Sequence, residues 1–280
     1  MKIAVLLTCY NRKDKTLACL KSLSKNSSSV IVYITDDAST DGTSLAIRQY
    51  YSEEQVHIIK GTGNLFWSRG MYTAWKEALK GDFDYYLWLN DDVVLYDNFF
   101  EELLYCSNLN ENNCIVTGLI EDKEHSTILY GGTSLKTHKM VQPNPEPEKV
   151  HHMNGNVVLV PCSVVKKIGI IDPYYHHDLG DVDYGLRAIE NGIPVVATRV
   201  PVAYGYPNNI CRVRKWGVNL RERFHRLNMP LGSPLRINYY FRKKHYGFMK
   251  AVMFCSYLTL LNLLPDWAVV KIWGTTYKNK

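Results

Sequence analysis

The chain has 280 residues, 46% of them hydrophobic and 21% charged, with a formal net charge of +6. That length suits one large α/β domain, or a domain of about 200 residues with an appendage. Its seven cysteines are scattered, odd in number and never spaced C-x-x-C, which excludes a disulfide framework or a cysteine-held zinc site. No internal repeat or low-complexity tract is present. The net charge hides a polarity: up to Cys211 there are 19 Lys+Arg against 25 Asp+Glu, and beyond it 14 against 2. A basic end on a mildly acidic body points to an anionic partner for the tail, a nucleic acid or an anionic membrane surface.

In chain order, Ile3–Leu7 is a short β-rich run, too short for the apolar region of a signal peptide, so the chain is expected to stay inside the cell. A helix follows near Lys15–Ser24. Strand-like and helical patterns then alternate: Val30–Thr35 and Thr43–Tyr51, Val56–Lys60 and Met71–Lys80, Tyr85–Leu89 and Asn98–Tyr105. Such alternation predicts a Rossmann-like, mostly parallel sheet with helices on both faces. From Cys114 to Val160 the pattern turns to short strands, with Gly131-Gly132, a loop Pro143 to Pro147 expected to be mobile, and Asn154-Gly155-Asn156 leading into Val157–Val160. A short helix near Ser163–Ile168, a loop Asp172–Gly180 and a helix from about Val182 to Glu190, closed by Asn191-Gly192, complete this part.

Ligands of parallel α/β sheets sit beyond the carboxyl ends of the strands. Those ends read Thr8-Cys9-Tyr10-Asn11-Arg12, Asp36-Asp37-Ala38-Ser39, Gly61-Thr62-Gly63-Asn64 and Asn90-Asp91-Asp92, all polar or glycine-rich. Asp91 and Asp92 stand side by side after a buried run. Holding both ionised is unfavourable without a cation, and Mg²⁺ or Mn²⁺ bound with a diphosphate would resolve it; capping of the next turn is the structural alternative. Asp37 faces the cleft on the strand-end argument and could accept a hydrogen bond from a uracil or thymine imide, while Ser39–Thr43 carries a turn and helix-cap signal. Arg69 follows the glycine-rich stretch and opens a helix, a place where a cation and backbone amides meet phosphate. Leu65-Phe66-Trp67 reads equally as core or as an aromatic cleft wall.

The run from His176 to Arg187 is the densest polar stretch. Asp181 stands at a helix start, either as an N-cap or as a general base for an acceptor hydroxyl. Zinc binding by His151, His152, His176 and His177 is a weaker alternative, because adjacent histidines diverge.

Taken together, Thr8-Cys9-Tyr10-Asn11-Arg12, Asp36 to Thr43, Gly63-Asn64, Asn90-Asp91-Asp92 and Gly180 to Arg187 resemble the family 2 glycosyltransferases of GT-A fold, in order from Lys2 to about Pro207. The resemblance implies that Thr8, Tyr10 and Asp37 hold the nucleotide base and ribose. It places Asn64 and Arg69 near ribose and diphosphate, counts Arg12 among the nucleotide-sugar contacts, and makes Asp91-Asp92 the D-x-D-type metal and sugar contact with Asp92 as the Mn²⁺ or Mg²⁺ ligand. It makes Asp181 the base of an inverting single displacement, with Asp178 the alternative. The absence of Q-x-x-R-W, with only Arg214-Lys215-Trp216 in its place, implies addition of one sugar at a time. The expected domains are 1–211 for catalysis, with a nucleotide-sugar half of about 1–110 and an acceptor half of about 111–211, and 212–280 for a basic helical extension.

In that extension Gly247 to Leu264 is apolar with one charge, preceded by Arg242-Lys243-Lys244 and just short of the usual spanning length of about 20 residues. It reads as a peripheral membrane element that sets Phe248, Val252, Leu258 and Leu261 among acyl chains, or as a packed or homodimer helix; no nucleic-acid motif accompanies it. The resemblance therefore leads to an enzyme of bacterial surface-polysaccharide assembly at the inner face of the cell membrane, using a nucleotide-diphosphate sugar and a glycan or lipid-linked glycan acceptor. Its rivals are a sugar-phosphate nucleotidyltransferase and a non-catalytic nucleotide-sugar or glycan binding module.

Overall fold

The structure, a computed structural model, describes residues 1–25, 30–208 and 211–277. The first elements are strand β1 (Ile3–Cys9), helix α1 (Lys13–Ser24), β2 (Val30–Asp36), α2 (Thr43–Tyr50), β3 (Val56–Lys60), α3 (Phe66–Ala78), β4 (Tyr85–Leu89), β5 (Val94–Leu95) and α4 (Phe99–Asn108). Next come β6 (Ile115–Asp122), β7 (Ile128–Tyr130), β8 (Gly132–Ser134), β9 (Glu148–Met153), β10 (Val157–Pro161), α5 (Cys162–Ile168), α6 (Gly180–Glu190) and β11 (Val195–Gly205). The tail forms α7 (Leu220–Asn228), α8 (Leu235–Tyr246), α9 (Phe248–Leu263) and α10 (Asp266–Trp273).

Contacts divide the chain into two compact units. The first holds Met1–Pro173 and Gly180–Pro207, and the second holds Tyr174–Leu179 with the chain from Asn208 onward.

In the first unit the sheet runs β3-β2-β1-β4-β10-β6-β11-β9-β8. The first four strands are mutually parallel, as the alternating pattern predicts. Successive residues of β1 feed two cores: Ile3, Val5 and Leu7 pack with Cys19, Leu20 and Leu23 of α1. Ala4 and Leu6 pack on the other face with Met71, Ala74 and Trp75 of α3. Strands covered on both faces must be apolar throughout, which is why Tyr85–Leu89 reads as an unbroken run. The sheet departs from an all-parallel reading at β10, which is antiparallel to both β4 and β6. This reversal brings the start of β10, not its end, to the edge where β1, β2 and β4 finish.

Helix α3 begins at Phe66, five residues before the periodicity predicts, because Gly70 lies against Thr8 and lets the first turn approach β1. Asn11 and Ala38, in the turns after β1 and β2, and Phe66, the first residue of α3, hold positive φ of 50°, 61° and 56°. Left-handed backbone in non-glycine residues is costly, so the surrounding hydrogen bonds must hold these positions in place.

In the second unit α8 and α9 are separate helices broken at Gly247, whose φ is 88°. Ala251, Leu258, Leu261 and Asn262 form the buried side of α9. Leu258 and Leu261 are thus core residues, a correction to their expected place among acyl chains. Phe248, Met249, Val252, Met253, Leu260 and Leu263 are the exposed apolar side chains of that helix. Arg214 and Arg223 are buried and donate to the terminal carbonyls of α9: Arg214 to Leu261 and to Leu264 at 2.9 Å, Arg223 to Asn262 at 3.0 Å and Leu264 at 2.9 Å. Asp266 balances both guanidinium groups, at 2.6 and 3.2 Å. These cations satisfy a helix end that otherwise leaves orphan carbonyls. Arg242 is also withdrawn from the expected membrane-facing cluster, its guanidinium lying 3.4 Å over the Phe254 ring. Among the described residues, no helix is long and apolar enough to cross a membrane.

Candidate active site

The turns after β1 and β2 are built on each other. The Asn11 N–H donates to Ser39 Oγ at 2.9 Å, the Thr40 N–H donates to Asn11 Oδ1 at 2.7 Å, and the Lys13 N–H donates to Asp41 Oδ2 at 2.9 Å. Asp41 also accepts from the Thr43 N–H at 3.0 Å, so one carboxylate caps the first turns of α1 and α2 together. Those bonds hold its carboxyl below the ordinary range, led by the Thr43 hydroxyl. Asp36 accepts from the Ser39 N–H at 2.8 Å and from the Ser44 hydroxyl, and is therefore a turn residue.

Asp37 differs from its expected place at the open cleft. It is buried, with Oδ1 accepting from the Gly63 N–H at 2.7 Å and Oδ2 from the Leu65 and Phe66 N–H groups at 2.8 and 3.1 Å. A carboxylate offers about four acceptor positions, and three are taken. Asp37 thus shapes the loop 61–66 and holds Phe66 in its left-handed conformation; a direct contact to a base is left with at most one lone pair. Asn64 is exposed in this loop, Tyr10 is exposed just after β1, and Thr8 is half-buried at the end of β1. Arg69, in the first turn of α3, donates through Nε to the Pro173 carbonyl at 3.0 Å.

Asp91 and Asp92 fall in the turn after β4. Their repulsion is met by a cation from the chain itself: Arg12 Nη1 lies 3.2 Å from Asp91 Oδ1 and 2.8 Å from Asp92 Oδ2. Asp91 is buried and also accepts from the Thr16 hydroxyl at 3.4 Å, while Asp92 is partly exposed and gives Arg12 only its Oδ2. Burial pushes the Asp91 carboxyl up to about 6, with Arg12 opposing the shift.

On the other face of the sheet a second group forms around Asn90. The Trp67 indole N–H donates to Asn90 Oδ1 at 2.7 Å, Asn90 Nδ2 donates to Asn156 Oδ1 at 2.7 Å, and the Asn90 N–H donates to the Asn156 carbonyl at 2.8 Å. The Gly155 N–H donates to Asp181 Oδ2 at 2.9 Å, and the Val182 N–H to Asp181 Oδ1 at 2.9 Å. Asp181 is therefore tied to both the first turn of α6 and the loop before β10. The sequence reading leaves Trp67 open between core and cleft wall and gives Gly155 and Asn156 no role at the site; the Asn-Gly-Asn triplet before an apolar strand is the signal that marks the latter two. Asp183 and Arg187 of the same motif form a 2.9 Å ion pair, and Arg187 donates to the Ile168 and Ile170 carbonyls at 2.6 and 2.7 Å, a structural role.

Asp178 lies in the second unit, where its carboxylate is 3.4 Å from Arg212 Nε and 3.7 Å from His177 Nε2. Among the described residues, no group of three or more His, Cys, Asp or Glu side chains is placed to hold a metal; of the four histidines weighed as zinc ligands, His151 and His152 belong to the first unit and His176 and His177 to the second. The protein alone would offer a divalent cation one outward carboxylate, Asp92. That fits Mg²⁺ or Mn²⁺, which take one or two carboxylates and complete their shell with phosphate and water.

The fold is similar over 100% of the chain to TarS 1-349 of S. aureus, with a TM-score of 0.58, 13% identity and 76% of that chain covered. It is similar over 99% to the mannosyltransferase PcManGT of Pyrobaculum calidifontis, solved with GDP-Man and Mn²⁺, with a TM-score of 0.56, 14% identity and 81% of that chain covered. A complex of TarS 1-349 with UDP-GlcNAc matches over 89% of this chain and 73% of its own, with a TM-score of 0.54 and 15% identity. No curated protein sequence matches the chain significantly. The profile described as Glycosyl transferase family 2 matches residues 4–169, which span β1 to α5 and hold every strand-end motif described above. The chain belongs to glycosyl transferase family 2 and has the GT-A fold.

Proposed function

We propose that the protein is an inverting, non-processive transferase that moves one hexosyl or deoxyhexosyl unit from a nucleotide-diphosphate sugar to a hydroxyl of a lipid-linked glycan. The observation that carries this reading is the chain of hydrogen bonds from Asp181 through Gly155 and Asn156 to Asn90, the residue directly before the acidic pair. It joins a candidate base to the candidate diphosphate end within one unit. Asp181 takes the proton from the acceptor hydroxyl while the new bond to the anomeric carbon forms and the bond to the diphosphate oxygen breaks. Thr8 and Tyr10 contact base and ribose, Asp37 supports them by shaping the loop 61–66, and Asn64, Arg69 and Arg12 serve ribose and diphosphate. Asp91 and Asp92 would hold Mn²⁺ or Mg²⁺, Asp92 directly, and the bound ion would supply stabilisation of charge on the departing phosphate.

Residues 1–211 form the catalytic domain in this reading and 212–280 a membrane-docking extension, at the inner face of a bacterial membrane during surface-polysaccharide synthesis. The exposed apolar side chains of α9, with Trp267 and Ile272 of α10, belong to the same stretch of chain as exposed Lys243, Lys244, Lys250 and Lys271. Exposed apolar side chains and lysines in one stretch suit an anionic lipid surface. A homodimer across this face would bring two strongly cationic segments together. The experiment is a panel of UDP-, dTDP- and GDP-sugars with Mn²⁺ or Mg²⁺, scored for transfer to a lipid-linked acceptor. Acceptor-dependent release of the nucleoside diphosphate from one donor supports the reading. Donor binding with no turnover on any acceptor favours a binding module.

A further inference from the structure

The bridging arginine has a consequence for how a metal enters this site. Arg12 is the N-cap residue of α1, and its backbone carbonyl accepts from the Thr16 N–H at 2.9 Å, so the base of the side chain is fixed to the helix. Its guanidinium is about half exposed, and one nitrogen serves both carboxylates, at 3.2 and 2.8 Å. One of those partners, Asp91, is buried and also accepts from the Thr16 hydroxyl at 3.4 Å; Asp92 is the more exposed partner and the metal ligand of the reading above.

We propose that Arg12 is a resident counter-cation that keeps a divalent metal from binding the acidic pair alone and releases Asp92 when a diphosphate arrives, so that metal and diphosphate bind as one unit. This rests on the assignment of Asp92 as metal ligand. A metal that came alone would have to break a charge-assisted bond and leave two cations facing each other across the pair. A diphosphate changes the balance, because its oxygens give the guanidinium a new anionic partner that can take two parallel N–H bonds and also complete the metal's shell. A lysine in this position would offer a rotatable point charge. Arginine can keep one nitrogen on the buried carboxylate of Asp91 while another turns to phosphate.

The test uses the full chain and two probes, Mn²⁺ alone and Mn²⁺ with inorganic pyrophosphate, with free Mn²⁺ followed by its paramagnetic resonance signal. In the wild type, Mn²⁺ alone should bind weakly and pyrophosphate should tighten it strongly. Arg12→Gln should tighten binding of Mn²⁺ alone by about tenfold or more, the worth of one charge-assisted hydrogen bond, and should shrink the effect of pyrophosphate. Arg12→Lys, which keeps the charge, should stay close to wild type for Mn²⁺ alone, and circular dichroism of both variants checks that the turn still folds. Equal or weaker Mn²⁺ binding by Arg12→Gln overturns the counter-cation role while leaving Asp92 as ligand. Absence of Mn²⁺ binding in every variant, with or without pyrophosphate, overturns the ligand assignment and this role with it.

Discussion

The backbone N–H of Gly155 and the carboxylate of Asp181 meet at 2.9 Å, and nothing larger than hydrogen fits on the Gly155 Cα. A Cβ there would lie 2.5 and 2.6 Å from Cη2 and Cζ2 of Trp67 and 3.1 Å from Cβ of Asp181. The loop before β10, the indole and the candidate base therefore form one corner in which no member moves alone.

Gly155→Ala tests that corner. Overpacking of this size costs roughly 1–3 kcal/mol, which chemical denaturation will show, and the displaced Asp181 should lower the transfer rate more than it changes donor affinity. A variant with wild-type rate and stability would show that the corner yields freely.

Asp181→Asn keeps one acceptor oxygen for the local N–H groups and removes the basic site. Transfer is expected to fall by ~10²-fold or more with donor binding nearly intact. Asp178→Asn, which loosens the Arg212 and His177 contacts, should act mildly. The reverse ranking in single-turnover assays would make Asp178 the base.

Asp37→Ala leaves the Gly63, Leu65 and Phe66 N–H groups without their shared acceptor. The expected loss is about 2–3 kcal/mol of stability, with faster amide exchange confined to residues 61–66. Asp37→Asn should be milder. Were Asp37 only a base contact, both variants would keep wild-type stability and lose donor affinity alone.

The buried Asp91 carboxyl, raised to about 6 from the ordinary 3.8, predicts the pH dependence of the metal-free protein. Between those values the folded state binds more protons than the unfolded one, so this group lowers stability as pH rises. The penalty is absent below about pH 4 and complete above about pH 6, and two pKa units correspond to about 3 kcal/mol. Asp91→Asn removes that slope, so its stability relative to wild type should improve between pH 4 and 7, as measured by urea unfolding at each pH. A difference that stays flat or falls over that range would contradict the assignment.

For the tail, full-length protein should float with liposomes containing anionic lipid, and high salt should weaken this only in part. Met249→Glu with Met253→Glu should abolish flotation without loss of stability, since both side chains are largely exposed. Leu258→Ala, at a fully buried site, should cost roughly 2–5 kcal/mol of stability in the second unit and act on flotation only through unfolding. Flotation that survives the glutamate pair would place the lipid contact elsewhere.

Much of this was legible in the sequence for a local reason. The 3.6-residue spacing of Thr16, Cys19, Leu20 and Leu23, and the unbroken apolar run Tyr85–Leu89, are set by neighbours in the chain, so helix and strand could be read directly. The strand-end rule then collected Thr8, Arg12, Asp37, Asn64, Asp91 and Asp92 at one edge, and the four parallel strands do bring them there. The early start of α3 was hidden because it depends on the contact between Gly70 and Thr8, which lie on different elements.

By itself the sequence determined the family, the alternating elements and the polar character of the strand ends, because each depends on residue type and short-range spacing. Tertiary structure decided which polar groups face one another. Strand direction is a long-range choice, and only the antiparallel placement of β10 brings Gly155 to Asp181 and Asn156 to Asn90. Charge pairing is equally long-range: Arg12 and Asp91 are 79 residues apart in the chain and 3.2 Å apart in the fold. Asp37 turned inward because its carboxylate is the shared acceptor of three N–H groups of the loop 61–66, a segment far from it in the chain. In the tail, the apolar run showed that α9 needs partners, but which side chains it buries was decided by the helices packed against it.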